Sequence, residues 1–155
     1  MPNLTGWLES QDQIFKEEEI VLSNSEMRDL LKRARTIAVV GLSDRPERDS
    51  HAIAGFLQRQ GYRVLPVNPN LRGPVLGERP YASLRAITEP VDIVNVFRRS
   101  EHVAEVVEDA IAIRAEAIWT QSGVEDQTAA RRAEAAGLKV VMNRCIAVSY
   151  RLLVQ

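Results

Sequence analysis

The stretch Thr36-Ile-Ala-Val-Val-Gly-Leu-Ser-Asp-Arg-Pro-Glu-Arg-Asp-Ser-His51 decides the fold. It opens with a short β-branched run, passes through a glycine into a polar loop, and leads to Ile53, Phe56 and Leu57 at helical spacing. Strand, loop and helix in that order begin a βαβ unit. The alternation recurs downstream in the apolar runs Tyr62-Arg-Val-Leu-Pro-Val67, Val91-Asp-Ile-Val-Asn-Val-Phe97, Ala117-Ile-Trp-Thr120 and Leu138-Lys-Val-Val-Met142. Val103, Val106, Val107, Ala110 and Ile111 mark another helix between two of them, and Met27, Leu30, Leu31 and Ala34 mark one before the first. Gly61 and Gly137 stand where helices stop, Ser50 and Ser100 where helices would start. Repetition of strand then helix predicts an α/β, Rossmann-like fold. Right-handed crossovers then give a doubly wound five-stranded parallel sheet of order 3-2-1-4-5, with helices on both faces.

At 155 residues with 45% hydrophobic content, the chain has material for one domain, assigned to residues 23–155. Residues 1–22 read as an acidic N-terminal extension, with Glu9, Asp12, Glu17, Glu18 and Glu19 against a single Lys16, suited to an arm or a partner-facing segment. That charge is opposite to a signal or transit peptide, and no stretch approaches a membrane span. A net charge of -1 lacks the basic excess of a nucleic-acid binder. One cysteine, Cys145, and two histidines make a poor zinc inventory and permit no internal disulfide. The expectation is a cytoplasmic protein without metal, membrane or nucleic-acid partner.

In a doubly wound sheet the ligand lies beyond the carboxyl ends of the strands, where strand order reverses. Gly41 closes the first strand and admits close backbone approach, while the following helix N-terminus offers free N–H donors to a phosphate. Ser43, Arg45, Arg48 and Ser50 add hydroxyl and guanidinium donors. The competing reading is a connection of solvated charges. The G-x-G-x-x-G dinucleotide fingerprint is absent, since the next glycine is Gly55, inside the predicted helix. Nor does the second strand end in an acidic residue: Val67 is followed by Asn68-Pro69-Asn70. A carboxylate-free rim with arginines suits a ligand with an extra ribose phosphate, such as coenzyme A or NADP. After the third strand, Phe97 is placed to meet an adenine ring and Arg98 or Arg99 to meet phosphate, unless Phe97 completes the core and the arginines face water. Gln121 and Cys145 end the fourth and fifth strands at the same edge.

Ile37-Ala-Val-Val-Gly-Leu-Ser43, Gly61-Tyr-Arg-Val-Leu-Pro-Val-Asn-Pro69, Val91-Asp-Ile-Val-Asn-Val-Phe-Arg98, Ile118-Trp-Thr-Gln-Ser-Gly-Val124 and Val141-Met-Asn-Arg-Cys145 together resemble the small stand-alone CoA-binding proteins. These are similar to the N-terminal CoA-binding domain of the succinyl-CoA synthetase alpha subunit. The resemblance covers roughly residues 25 to 153. It implies that Gly41, Leu42 and Ser43 approach the phosphates with Arg48 beside them. It further implies that Asn68 and Pro69 border the nucleotide, that Val96, Phe97 and Arg98 cover its other side, and that Gln121 sits near the pantetheine exit. Asn143, Ile146 and Ser149 depart from the residues the family usually carries. The resemblance implies binding of coenzyme A or an acyl-CoA, as sensor or carrier, and not catalysis, because neither His51 nor His102 has a nucleophile at a defined spacing. The state would pass to a protein partner through the surface or the acidic arm. Two alternatives stand beside it: an NADP-linked redox enzyme or redox-sensing module, and a partner-binding scaffold with a vestigial nucleotide site. For Cys145, a mixed disulfide with the CoA thiol competes with a buried small hydrophobe.

Overall fold

The computed structural model describes residues 22–155, so the acidic extension drawn at 1–22 lies, apart from Leu22, outside the described residues. Helix α1 (Asn24–Arg33) begins at Ser23, whose hydroxyl accepts from the Glu26 N–H while the Glu26 carboxylate accepts from the Ser23 N–H. This reciprocal cap satisfies two donors that a helix start leaves free. The chain then alternates: β1 (Thr36–Val40), α2 (Asp49–Arg59), β2 (Arg63–Val67), a 3-10 turn (Leu84–Ala86), β3 (Ile93–Val96), a second 3-10 turn (Ser100–His102), α3 (Val103–Ala112), β4 (Ala117–Thr120), α4 (Gln127–Ala135), β5 (Lys139–Val141) and α5 (Ile146–Leu153). All strand pairings are parallel.

Alternate strand residues face opposite layers. Ile37, Val39, Val64, Ile93, Ala117, Trp119 and Val141 pack under α1, α2 and α5. Ala38, Val40, Leu65, Val94, Val96, Ile118 and Val140 pack under α3 and α4. Burying both faces of a parallel sheet explains why the strands read as continuous apolar runs. Gly61 and Gly137 close α2 and α4 with φ of +101° and +95°, as the sequence predicts for helix stops.

The strand order is 2-1-3-4-5, not the predicted 3-2-1-4-5. The predicted order places β2 between two neighbours, and Pro66 argues against that. Pro66 lies opposite Val39 of β1 and has no N–H to give a second strand. Its carbonyl instead accepts from Tyr81 N–H (2.8 Å), so a loop residue covers that edge. The four residues of β3 are fully buried and take partners on both sides. The Asp92 carboxylate fastens β3 to β1 by accepting from the Arg35 and Thr36 N–H groups (2.8 and 2.9 Å).

Ser50 and Ser100 do not cap helices. Arg48 holds the cap position of α2. Ser50, inside the first turn and buried, accepts from Ser43 N–H (3.0 Å). Ser100 opens the 3-10 turn before α3, and its hydroxyl accepts from Glu125 N–H (3.0 Å). Both hydroxyls tie one strand-end loop to another segment at the rim where the ligand edge forms.

Candidate functional site

With order 2-1-3-4-5 the chain reverses its direction of sheet growth between β1 and β3, and the crevice opens past their carboxyl ends. Gly41 and Phe97 meet there. Gly41 has φ of +89°, and a Cβ on it would stand 2.7 Å from the Phe97 carbonyl oxygen. Phe97 N–H donates to Val40 O and Gly41 N–H to Val67 O, both at 2.8 Å, so the ladder extends one step beyond each strand. The glycine is required by this backbone approach within the protein, before any ligand is considered.

Three cavities radiate from Phe97, which lines all of them. The first, about 440 Å³, runs between the ends of β1, β2 and β3, with Asn68, Pro69 and Ser83 on one wall and Arg98, His102 and Glu105 on the other. The second, about 560 Å³, lies over the loop after β1 and the start of α2, and presents Ser43, Arg45 and Arg48. The third, about 470 Å³, runs toward β4 and β5 between Ile53, Arg98, Gln121, Gly123 and Cys145. Gly41 joins the first to the second, and Arg98 joins the first to the third.

The loop of the second cavity is held from within. Ser43 Oγ accepts from Arg45 N–H (3.1 Å), and Arg48 N–H donates to Arg45 O (3.1 Å). The turn leaves both guanidinium groups exposed beside the N-terminus of α2, whose first N–H groups and dipole favour an anion. In the first cavity, Arg98 Nη1 lies 3.0 Å from Glu105 Oε1, and His102 Nδ1 lies 3.4 Å from the same oxygen. Arg98 is therefore balanced by a carboxylate, whereas Arg45 and Arg48 enter no ion pair among the described residues.

Of the predicted site residues, Gly41, Ser43, Arg48, Asn68, Pro69, Phe97, Arg98 and Gln121 line this set of cavities. Leu42 and Val96 do not. Both are fully buried: Leu42 packs in the layer under α1, α2 and α5, Val96 in the layer under α3 and α4. Only their backbone belongs to the rim; Leu42 O accepts from Asn68 Nδ2 (3.1 Å). Asn68 also holds its own turn, its Oδ1 accepting from Asn70 N–H (3.0 Å). Gln121, 6% exposed, has its Oε1 engaged by Asn95 Nδ2 and Ile146 N–H, both 3.0 Å away. Asn143, with φ of +59°, accepts from Gly123 N–H through Oδ1 and shapes the β4 loop. Glu105 and Asp109 were not legible as lining residues. Arg98 and Glu105 stand seven positions apart, and the 3-10 turn between β3 and α3 decides that they meet.

The family model described as CoA binding domain matches residues 35–151. This chain belongs to the CoA binding domain family. Across 83% of its length, this member is 41% identical to Uncharacterized protein YneT of Bacillus subtilis (strain 168), covering 94% of it. A hypothetical protein from Pyrococcus horikoshii OT3 superposes with a TM-score of 0.84 at 34% identity, over 88% of this chain and 96% of that one. The Thermus thermophilus protein solved as cell-free ID.343 gives 0.82 at 38% identity, over 85% and 99%. The matched span of the CoA binding domain model runs from the residue before β1 into α5 and contains all three cavities. No helix among the described residues is long and apolar enough to cross a membrane.

Proposed function

We propose that this chain binds coenzyme A, or an acyl-CoA, across the crevice, and that it holds the ligand without transforming it. The observation that carries the reading is the set of three cavities meeting at Phe97. A ligand with a nucleoside, a diphosphate and a long arm has three parts of matching character. The adenosine 3′-phosphate enters the first cavity beside Phe97 and Arg98, and the diphosphate lies over Gly41 and Ser43 against Arg45, Arg48 and the start of α2. The pantetheine arm follows the third cavity past Gln121. Each phosphate meets an arginine, whose planar fork suits phosphate oxygens.

A binding role is favoured over catalysis by what surrounds the histidine of the crevice. His102 faces the Glu101 and Glu105 carboxylates (3.6 and 3.4 Å), and no hydroxyl among the described residues hydrogen-bonds to its ring. A general base needs a nucleophile within hydrogen-bond reach. The bound state would be read by a protein partner, which makes the chain a sensor or carrier.

The test is calorimetric titration of the ligand-stripped protein with CoA, acetyl-CoA, dephospho-CoA, NADP and NAD in one buffer and salt. Micromolar binding of CoA that weakens without the ribose 3′-phosphate is expected, with acetyl-CoA recovered unhydrolysed. A folded protein that ignores CoA and takes NADP would replace this reading with a redox one.

A further inference from the structure

We propose that ligand binding in the first cavity takes up a proton, because the Glu105 carboxylate that holds Arg98 in the free protein passes to His102 when Arg98 turns to the ligand's 3′-phosphate. The inference rests on the CoA reading above and gives that same site its regulation, an affinity that rises as pH falls. Glu105 Oε1 is the pivot: it accepts from Arg98 Nη1 at 3.0 Å and lies 3.4 Å from His102 Nδ1. The other ring nitrogen, Nε2, lies 3.6 Å from Glu101 Oε1. The imidazole therefore stands between two carboxylates, each already shared with an arginine, since Arg99 Nη1 is 4.0 Å from Glu101 Oε1.

A neutral imidazole has one N–H to give and a protonated one has two, so a ring facing two carboxylates gains a partner by taking a proton. What opposes that gain here is the arginine on Glu105. Asp109, on α3 and lining the same cavity, accepts from Arg85 Nε of the Leu84–Ala86 turn at 2.6 Å, and its charge is answered there. The remaining polar walls, Asn68, Asn70 and Ser83, carry no charge. Arg98 is thus the cation whose departure changes what His102 faces. A phosphate that takes Arg98 frees the Glu105 carboxylate and brings its own negative charge into the cavity, and both changes favour the charged ring. Arg98 and His102 are partly exposed and Glu105 is exposed, so water screens the exchange and its size is modest. Near neutral pH, where an imidazole titrates, the uptake amounts to about 0.3 proton per ligand. The complex then holds more protons than the free protein, and CoA affinity falls about twofold for each pH unit of rise.

Calorimetric titration of the full chain with CoA at pH 7, repeated in buffers of low and high ionisation enthalpy, reads the protons from the dependence of the heat on the buffer. Uptake is expected with CoA and none with dephospho-CoA, which leaves Arg98 on Glu105. The 3′-phosphate loses any proton it carries on meeting Arg98, so it works against the uptake and cannot imitate it. His102→Gln should abolish the uptake, and Glu105→Gln should at least halve it while CoA still binds. Equal uptake with dephospho-CoA, or undiminished uptake in either variant, overturns the handover. CoA binding by the unaltered chain with no proton taken up refutes the handover alone, and absence of CoA binding in every buffer refutes the CoA reading itself.

Discussion

Gly41→Ala tests whether the β1–β3 approach is as close as described. Alanine at φ of +89° sits in the left-handed half of backbone space, at a cost of about 1–2 kcal/mol. Its Cβ would also stand 2.7 Å from the Phe97 carbonyl oxygen, a backbone atom that yields only if the end of β3 moves. Overpacking of that kind costs about 1–3 kcal/mol. The two add to about 2–5 kcal/mol, reduced by about 0.4–1 kcal/mol because alanine also restricts the unfolded chain. Gly61→Ala is the internal control: its φ is +101°, and nothing lies within 4 Å of the added Cβ, so it isolates the backbone contribution. Urea unfolding of both variants should show unchanged slopes and a lower midpoint for Gly41→Ala, by about 1 M for a slope of about 2 kcal/mol/M. Calorimetry on the folded variant should show lost CoA affinity as well, since the residue that must move lines all three cavities. If Gly41→Ala costs no more than Gly61→Ala, the steric argument is wrong, and the requirement for glycine here is conformational only.

Arg98→Ala should weaken CoA about tenfold or more and dephospho-CoA less, because a charge-assisted contact to the 3′-phosphate is lost; equal losses for both ligands would remove that role. Glu105→Gln releases Arg98 from its 3.0 Å carboxylate partner and should tighten CoA in the same titration. Burial raises the Tyr62 hydroxyl above its ordinary range, and the hydroxyl donates to Leu31 O. A raised folded-state value gives stability that is present below about pH 10, where the unfolded chain titrates, and is lost as pH rises beyond it. Urea midpoints measured on both sides of that pH should fall on the alkaline side, and Tyr62→Phe should flatten the fall. Adenosine 3′,5′-bisphosphate, which lacks the arm, should bind more weakly than CoA; equal affinity would leave the third cavity without a part in binding.

The alternation of strands and helices was legible because both faces of the sheet are buried, so each strand is a run and not an alternating pattern. Strand order was not read correctly, although Pro66 carries the signal: a proline within a run demotes that strand to an edge. Ser50 and Ser100 show a different difficulty. A hydroxyl near a helix start has several backbone N–H groups within reach, and which one it takes depends on neighbours that only the tertiary fold supplies. Gly41, Phe97 and Arg98 were legible as cavity-lining residues because any strand end of this sheet faces the edge where the cavities open. Leu42 and Val96 were not separable from them by position along the chain, since only the packing shows that those two side chains turn into the core. The Asn95–Gln121–Ile146 network lay beyond reach for a further reason, because its members come together from three segments.

Strand order and ligand class are connected through the same geometry. In the predicted order β1 would neighbour β4, Gly41 would face Gln121, and a ligand at that switch point would sit over two strand ends. The observed order sets Phe97 beside Gly41 and moves Gln121 one strand outward. From Asn68 after β2 to Gln121 after β4 is three strand intervals, roughly 14 Å at about 4.8 Å each. A compact mononucleotide spans only part of that row. Guanidinium groups recur along it: Arg45 and Arg48 over the loop after β1, Arg98 and Arg99 after β3, and the exposed Arg144 after β5. Arginines set apart along the row suit a ligand whose phosphates are themselves set apart, as the ribose 3′-phosphate and the diphosphate of coenzyme A are.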